Sequence, residues 1–518
     1  MLTQHIRGPL TGVGRSGARF SGIAGLVTAI LILCGGMAAA VVWNPAAAIA
    51  GAAALLAVLV AWCAPVAVER LFLRLLGVLL LGYAVLGRTF AGLGMPPVYV
   101  GEVILGVGLL SVLAAGRHFR LVRTPSVYLL IAFMCWGTAR TIPYLGTYGM
   151  DALRDAVIWG YGAFALLLAP LLIRRDLVER IPPLYARALP WIVVGGPAWV
   201  VVSQWTDLQG IPGTAMGGPK AGDAAVHLGG AASFILAGLW ARRDSARGVN
   251  WPREWAAWMA LLVGMVALGS LNRGGLVAAI VAVLMVMILL PFKAGGKLFR
   301  AGATAVLLAT VWLAWGVSLP GRESRAISPE QIAQNLGSIG GGSRSDLEGT
   351  RTWRILWWNS IIDYTVHGQY FWTGKGFGVN LTYDDGIVRD PDDPSRSPHN
   401  GHLTVLARTG VPGLVLWVLL QLAFALSMLA GLVRARQARQ DTRASLFVWI
   451  LAYWLAFLVN ASFDVYLEGP QGGIWFWCVF ACGLALIASQ SRQTPRQAQA
   501  WVPWHARRVR TPSPSSSV

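Results

Sequence analysis

Long apolar runs separated by short polar connections recur from one end of the chain to the other. Fourteen of them reach or approach the roughly 20 residues a helix needs to cross a bilayer: 21–42, 46–68, 71–90, 98–115, 126–142, 155–173, 188–204, 225–241, 254–270, 274–292, 301–319, 402–433, 445–460 and 470–490. Gly and Pro inside several of them suit membrane helices, where neighbouring helices re-satisfy the backbone. The run at 71–90 is the weakest, with Arg74 and Arg88 near its ends. The pattern predicts an all-α, polytopic integral membrane protein with about 14 (12–14) transmembrane helices. It divides the chain into an N-terminal transmembrane bundle of about eleven helices (1–319), a large loop (320–401), about three C-terminal helices (402–490) and a basic, disordered tail (491–518).

Composition agrees with this reading. The chain has 518 residues, of which 13% are charged, against about a quarter in soluble domains; mean hydropathy is +0.58. The net charge of +19 would suggest nucleic acid in a soluble protein, but its distribution says otherwise. With the N-terminus in the cytoplasm and the sides alternating, the inside connections hold 28 Lys+Arg against 6 Asp+Glu, and everything else holds 14 against 17. That is the positive-inside pattern, so the basic excess orients the chain and meets anionic headgroups, with no nucleic acid implied. Both termini are then cytoplasmic, and the loop 320–401 lies outside. Met37-Ala38-Ala39-Ala40 resembles a cleavage site, but the apolar run continues past it, so the first span is expected to stay uncleaved. The five cysteines all lie in apolar runs without metal or disulfide spacing and read as small buried hydrophobes.

The outside loop is where chemistry is expected, since long structured loops are uncommon and often functional. Its first part, RESRAISPEQIAQNLGSIGGGSRSDLEG, is polar and Gly/Ser-rich and reads as mobile. Near its end, His399 in SPHNGH falls where loop meets membrane. A half-desolvated imidazole there can take a proton from a hydroxyl, or it can serve the helix start, where Asn400 is the N-cap. His402 is a weaker candidate for the same role. Gly410 and Gly413 admit close approach to the next helix. Arg273, in the short outside turn SLNRGG, can hold a lipid-borne phosphate with its fork of donors, or snorkel to a headgroup. In TWRILWWNSII, helical spacing puts Arg351, Arg354 and Trp358 on one face and Trp353 and Trp357 beside it. The tryptophans read as interfacial anchors, with sugar or diphosphate binding as the sharper alternative. GKGFG (Gly374, Lys375, Gly376, Gly378) reads as a glycine-rich turn in preference to a phosphate cradle, because no Walker spacing follows. The acidic run Asp384, Asp385, Asp390, Asp392, Asp393 lacks calcium-loop spacing and reads as solvated, with no metal expected.

WRILWW…FWTGKGFGVNL followed by SPHNGHLTVLARTGVPGLVLW resembles the signature of the O-antigen ligase and polymerase superfamily of bacterial membrane glycosyltransferases. The most specific part is His399-Asn400, nine residues, then Gly410-x-x-Gly413. The resemblance implies a GT-C-like fold in the bacterial inner membrane with its active loop periplasmic. It also implies a metal- and cofactor-independent, inverting transfer of glycan from a polyprenyl-diphosphate carrier to a hydroxyl on a glycan or lipid A core acceptor. Carried over by position, His399 would be the general base, and Arg273 and Arg354 would bind the diphosphate. Arg351 is a second candidate for the loop arginine. The same motif serves ligases, polymerases and a related branch acting on protein hydroxyls. A secondary transporter or flippase is the alternative class; it fits the span count, but no duplicated halves or matched broken helices are visible.

Overall fold

The computed structural model describes residues 64–95, 98–116, 119–206, 219–240, 251–315, 318–320, 326–339, 345–388 and 396–500. Contacts divide the chain into two units. One is 1–72 with 107–118, described only through the start of the helix Pro65–Leu86 and the end of Val100–Ala115; the other, 73–106 with 119–518, holds everything discussed below. The first expected span and nearly all of the second lie outside the described residues. At each of the other expected spans the chain is helical. Among the described residues six helices are long and apolar enough to cross a membrane: Met150–Arg174, Val178–Trp205, Glu254–Leu271, Gly401–Gln437, Asp441–Ala461 and Pro470–Ser491. The strands described are two short antiparallel pairs, Gly94–Met95 with Val98–Tyr99 and Leu319–Pro320 with Ala326–Ile327.

At the centre stand Ala221–Leu236, Arg273–Leu289 and Asp441–Ala461, each packed on the other two. The sequence AGDAAVHLGGAASFIL explains why the first can be buried almost end to end. Small side chains let backbones approach, as membrane helices without a hydrophobic drive require. A Cβ on Gly229 would lie 2.8 Å from the Ala279 Cα, and one on Gly230 would enter the Tyr453 ring at 2.5 Å. At the other end of the same pair, a Cβ on Gly275 would lie 2.8 Å from the Gly222 Cα. These two helix starts therefore sit backbone on backbone.

The span expected as one helix from 402 is two helices joined at Gly410, whose φ of 69° and ψ of −173° are not helical. Gly410 supplies the positive φ, and Pro412 lacks the N–H that would bond back to Arg408. The freed groups find partners elsewhere. Lys375 N–H donates to the Ala407 carbonyl at 2.7 Å, Gly376 N–H to Arg408 at 3.1 Å, and Val411 N–H to Phe371 at 2.8 Å. The Trp136 indole donates to the Thr409 carbonyl at 2.9 Å. The glycine-rich turn 374–378 is thus the other half of the helix break, which satisfies backbone groups that could not be buried unpaired.

The large loop has its own apolar core of Trp357, Ile361, Val379, Leu381, Leu406 and Ala407. Its polar first part, expected to be mobile, contains the helix Pro329–Ile339 and the start of Ser345–Val366. Asn335 ties the first of these to the bundle by donating to the Gly269 and Ser270 carbonyls at 2.8 and 2.9 Å. Among the cysteines, Cys135 is exposed on its helix and not buried as the sequence suggested, whereas Cys478 is buried. Cys34 and Cys63 lie outside the described residues.

Candidate functional site

His399 immediately precedes the helix Gly401–Gln437. The Asn400 side chain caps that helix by accepting from the His402 and Leu403 N–H groups at 3.0 and 3.2 Å. Capping is therefore done by Asn400, and His399 is held outside the helix at a φ of +53°. His tolerates this region better than most residues, yet it is sparsely populated and needs outside support. The support comes from both sides. His399 N–H bonds back to Ser397 at 2.9 Å, and the Trp358 indole donates to the Pro398 carbonyl at 2.9 Å.

The imidazole faces Asp464, with Nδ1 3.7 Å from Oδ1, and its other wall is the Trp353 ring at 6.2 Å between centroids. Asp464 lies in the short turn between Asp441–Ala461 and Pro470–Ala500. Its Oδ1 accepts from Lys220 Nζ at 2.7 Å and from Val465 N–H at 2.8 Å. Burial works against the charge on Asp464, but the Lys220 ammonium, the His399 contact and the nearby Arg88 guanidinium outweigh it. They hold the carboxyl well below the usual carboxylate range. A second ion pair stands alongside, Arg88 Nε with Asp223 Oδ2 at 3.8 Å, and Gln471 donates to the same oxygen at 3.3 Å.

The segments that bear Arg273 and Arg354 both meet Phe463. Arg273 is the first residue of its helix and not part of a free turn, since Asn272 caps that helix by accepting from Gly275 N–H at 2.8 Å. The adjoining Gly274 has room for no side chain because Phe463 lies against it; a Cβ there would meet the Phe463 Cβ at 2.9 Å. Arg354 donates to the Phe463 carbonyl at 3.2 Å. Phe463 and Asp464 thus join the two arginine-bearing segments to the His399 side. The backbone of Arg351 is part of the helix Ser345–Val366, but its side chain lies outside the described residues.

Other sequence candidates are occupied with structure. Both ring nitrogens of His402 are engaged, Nδ1 with the Trp417 indole at 3.0 Å and Nε2 with the Leu458 carbonyl at 3.1 Å. Lys375 is held between Asp384 and Asp385, 2.5 Å from each, over the Tyr364 ring. Burial disfavours its charge, but the two carboxylates prevail and raise it above its ordinary value. Asp385 is therefore buried and not part of a solvated acidic face, whereas Asp384 pairs with Lys375 and stays half exposed, and Asp390, Asp392 and Asp393 lie outside the described residues. Trp357 is not an interfacial anchor. It is fully buried and donates to Asp385 Oδ2 at 2.5 Å, while Trp353 and Trp358 brace His399. Gly374, Gly376 and Gly378 have positive φ, and a Cβ on them would strike the Arg408 and Thr409 backbone, Tyr144 and Tyr148 respectively. A Cβ on Gly413 would strike Thr409. Arg408, 1% exposed, pairs with Asp155 at 2.9 Å and donates to the Gly376 and Val379 carbonyls.

Arg88, Lys220, Asp223 and Asp464 were not singled out by sequence reasoning. Each is a charged residue at the end of an apolar run, the same signal that drew attention to Arg273. Beside the site an apolar groove of about 340 Å³ opens between Gly401–Gln437 and Asp441–Ala461. It runs from His402 and Ser462 past Trp417 and Val418 to Gln421 and Trp454.

Residues 257–418 match the family model described as O-antigen ligase. That segment contains Arg273, Arg354 and His399, whereas Arg88, Lys220, Asp223 and Asp464 come from outside it. No curated protein matches the chain.

Proposed function

We propose, from the match of residues 257–418 to the O-antigen ligase family model, that this chain is a membrane glycosyltransferase that moves a glycan from a polyprenyl-diphosphate carrier to an acceptor hydroxyl. The observation that carries this reading is His399 held beside Asp464, with Lys220 and Arg88 nearby and the segments that bear Arg273 and Arg354 both meeting Phe463, the residue before Asp464. His399 Nε2 takes the acceptor proton while Nδ1 faces the carboxylate, which stabilises the imidazolium that forms. The acceptor oxygen bonds to the anomeric carbon as the carbon–oxygen bond to the diphosphate breaks. The bonding electrons leave with the diphosphate, whose charge Arg273 and Arg354 stabilise. A single displacement inverts the anomeric centre. A diphosphate is already a good leaving group, so fixed guanidiniums suffice and no metal is invoked.

The groove gives the donor's other end a place. It begins beside His402 and Ser462, next to the reacting groups, and its wall is almost wholly apolar, as an isoprenoid chain requires. The positive-inside pattern supports placing this face on the periplasmic side of the bacterial inner membrane, where lipid-linked and not nucleotide-linked sugars are at hand.

The test is transfer by purified protein in lipid, from a polyprenyl-diphosphate oligosaccharide, with lipid A core as acceptor and EDTA present. Product on lipid A core, lost in His399→Ala and Arg273→Ala, makes the protein a metal-independent ligase. Ladders on the carrier itself make it a polymerase. Folded protein that transfers nothing from any such donor overturns the reading in favour of transport.

A further inference from the structure

The turn that carries Asp464 carries a second carboxylate. Glu468 is half-buried and reaches the chain on both sides of His399. Its Oε1 accepts from the Thr404 hydroxyl at 2.7 Å, and the Ser397 side chain is hydrogen-bonded to the same carboxyl. Ser397 and Thr404 are themselves buried. A threonine hydroxyl in a helix can bond back to the carbonyl four residues earlier, here that of Asn400 at 3.1 Å. Its single proton serves one short bond, and Glu468 offers the shorter.

Glu468 stands on a fixed arm, and what it grips needs holding. It ends the short turn Tyr466–Glu468, where its N–H bonds to the Val465 carbonyl at 3.0 Å. Tyr466 is fully buried, stacks on Phe457 with ring centroids 5.4 Å apart, and meets His227 Nε2 through its hydroxyl at 3.1 Å. The His399 backbone, in contrast, has a φ of +53°, a conformation that persists only where its surroundings enforce it. The Ser397 carbonyl accepts from the His399 N–H at 2.9 Å, so Glu468 grips the residue on which the His399 turn closes.

We propose that Glu468 is a positioning residue for His399: by holding Ser397 before it and Thr404 after it, Glu468 keeps the imidazole against Asp464. One stretch of chain, 464–468, then supplies both the carboxylate beside the base and the clamp on the backbone that presents the base. A functional side chain needs such support, because its own rotamer and turn do not fix it well enough. Trp358 still braces the turn at Pro398, so loss of Glu468 loosens the turn without undoing it. No proton or bond changes at Glu468 during transfer. The inference rests on the transfer reaction proposed above, in which His399 is the base, and adds what holds that base in place.

The test uses the full chain in lipid nanodiscs and two readouts. One is transfer from a polyprenyl-diphosphate glycan donor, with kcat and donor KM measured separately. The other is acylation of histidines by diethyl pyrocarbonate, read by mass spectrometry, with the exposed His367 as internal reference. In Glu468→Ala, kcat should fall roughly 10- to 100-fold, the scale of a reacting group displaced by about 1 Å, while donor KM stays within about twofold of wild type. His399, loosened from Asp464, should react several-fold faster relative to His367. Glu468→Gln keeps an acceptor oxygen of the same reach and should return both readouts to near wild type. Should Glu468→Ala unfold, Ser397→Ala combined with Thr404→Val cuts the same two bonds and carries the same expectation. A fall in kcat with His399 reactivity unchanged would mean that Glu468 acts elsewhere, and the inference falls. It falls equally if Glu468→Gln is as slow as Glu468→Ala, or if neither readout responds to Glu468→Ala. A wild type that transfers no glycan overturns the transfer reading instead, and the acylation of His399 still reports whether Glu468 holds the turn.

Discussion

Asp464 is the residue on which the site's two halves depend, because one of its oxygens meets both Lys220 and the imidazole of His399. Asp464→Asn keeps the shape and removes the charge. Transfer should fall roughly 100-fold or more, the scale of a general base deprived of its support, while donor binding changes less. Its acid behaviour can be stated with sign. The folded carboxyl is held below its ordinary value, so its contribution to stability is complete above the unfolded value of about 3.9 and is lost as pH falls through the folded one. The difference in melting temperature between wild type and Asp464→Asn should therefore be flat from about pH 5 to 8 and shrink only below about pH 4. A difference that already collapses near pH 6 would contradict the ion pairing seen here. His399, Asn400, Gly410 and Gly413 could be read from the sequence because they lie within one short stretch whose spacing is itself informative. Asp464, Lys220, Asp223 and Arg88 could not, since they sit in separate, ordinary-looking connections and only packing brings them together. Trp357 was misread for a related reason: spacing puts it on a helix but does not say what lies opposite.

At the scale of elements, the helix break and the glycine-rich turn form one unit. The helices themselves were legible, because an apolar run of bilayer length leaves the backbone little choice. The break at Gly410 was not, since glycine and proline are both tolerated inside membrane helices and only the carbonyl partners reveal which role they play. Gly410→Ala forces a side chain into a left-handed backbone and into the Phe371 carbonyl, 2.5 Å from the new Cβ. It should lower the melting temperature and reduce transfer without moving the acid limb of the rate. Arg408 pins the same unit through Asp155, both nearly buried. Arg408→Met leaves that carboxylate with only the more distant Arg396 guanidinium, 3.6 Å away, and the Gly378 N–H, and should destabilise the fold by up to about 3 kcal/mol. The double variant Arg408→Met with Asp155→Leu should recover much of the loss, as removal of both partners leaves no orphaned charge. Equal losses in the single and double variants would show that the pair's hydrogen bonds to the turn, and not its charge balance, hold the unit together.

Across the whole molecule, the polar site and the apolar groove share the helix Gly401–Gln437 and the segment 458–464, so one ligand with a charged head and a hydrocarbon tail can occupy both. The groove wall carries Trp417, Val418, Leu458 and Val459, and Gln421, also on it, accepts from the Trp454 indole at 3.1 Å. Val418 is 44% exposed on this wall, which makes it a place to narrow the groove without touching the reacting groups. In Val418→Trp the indole should displace the equivalent of about two methylenes of a bound tail, at about 0.8 kcal/mol each. Donor KM should then rise roughly tenfold with kcat nearly unchanged, because contacts made equally in ground and transition states affect only binding. The effect must depend on the tail. A donor whose diphosphate carries no isoprenoid tail has nothing to lie along the groove and should be used equally well by wild type and variant. An equal KM penalty for donors with and without a tail would mean that the substitution disturbs the site and not the tail, and the groove would lose its claim as the carrier's seat.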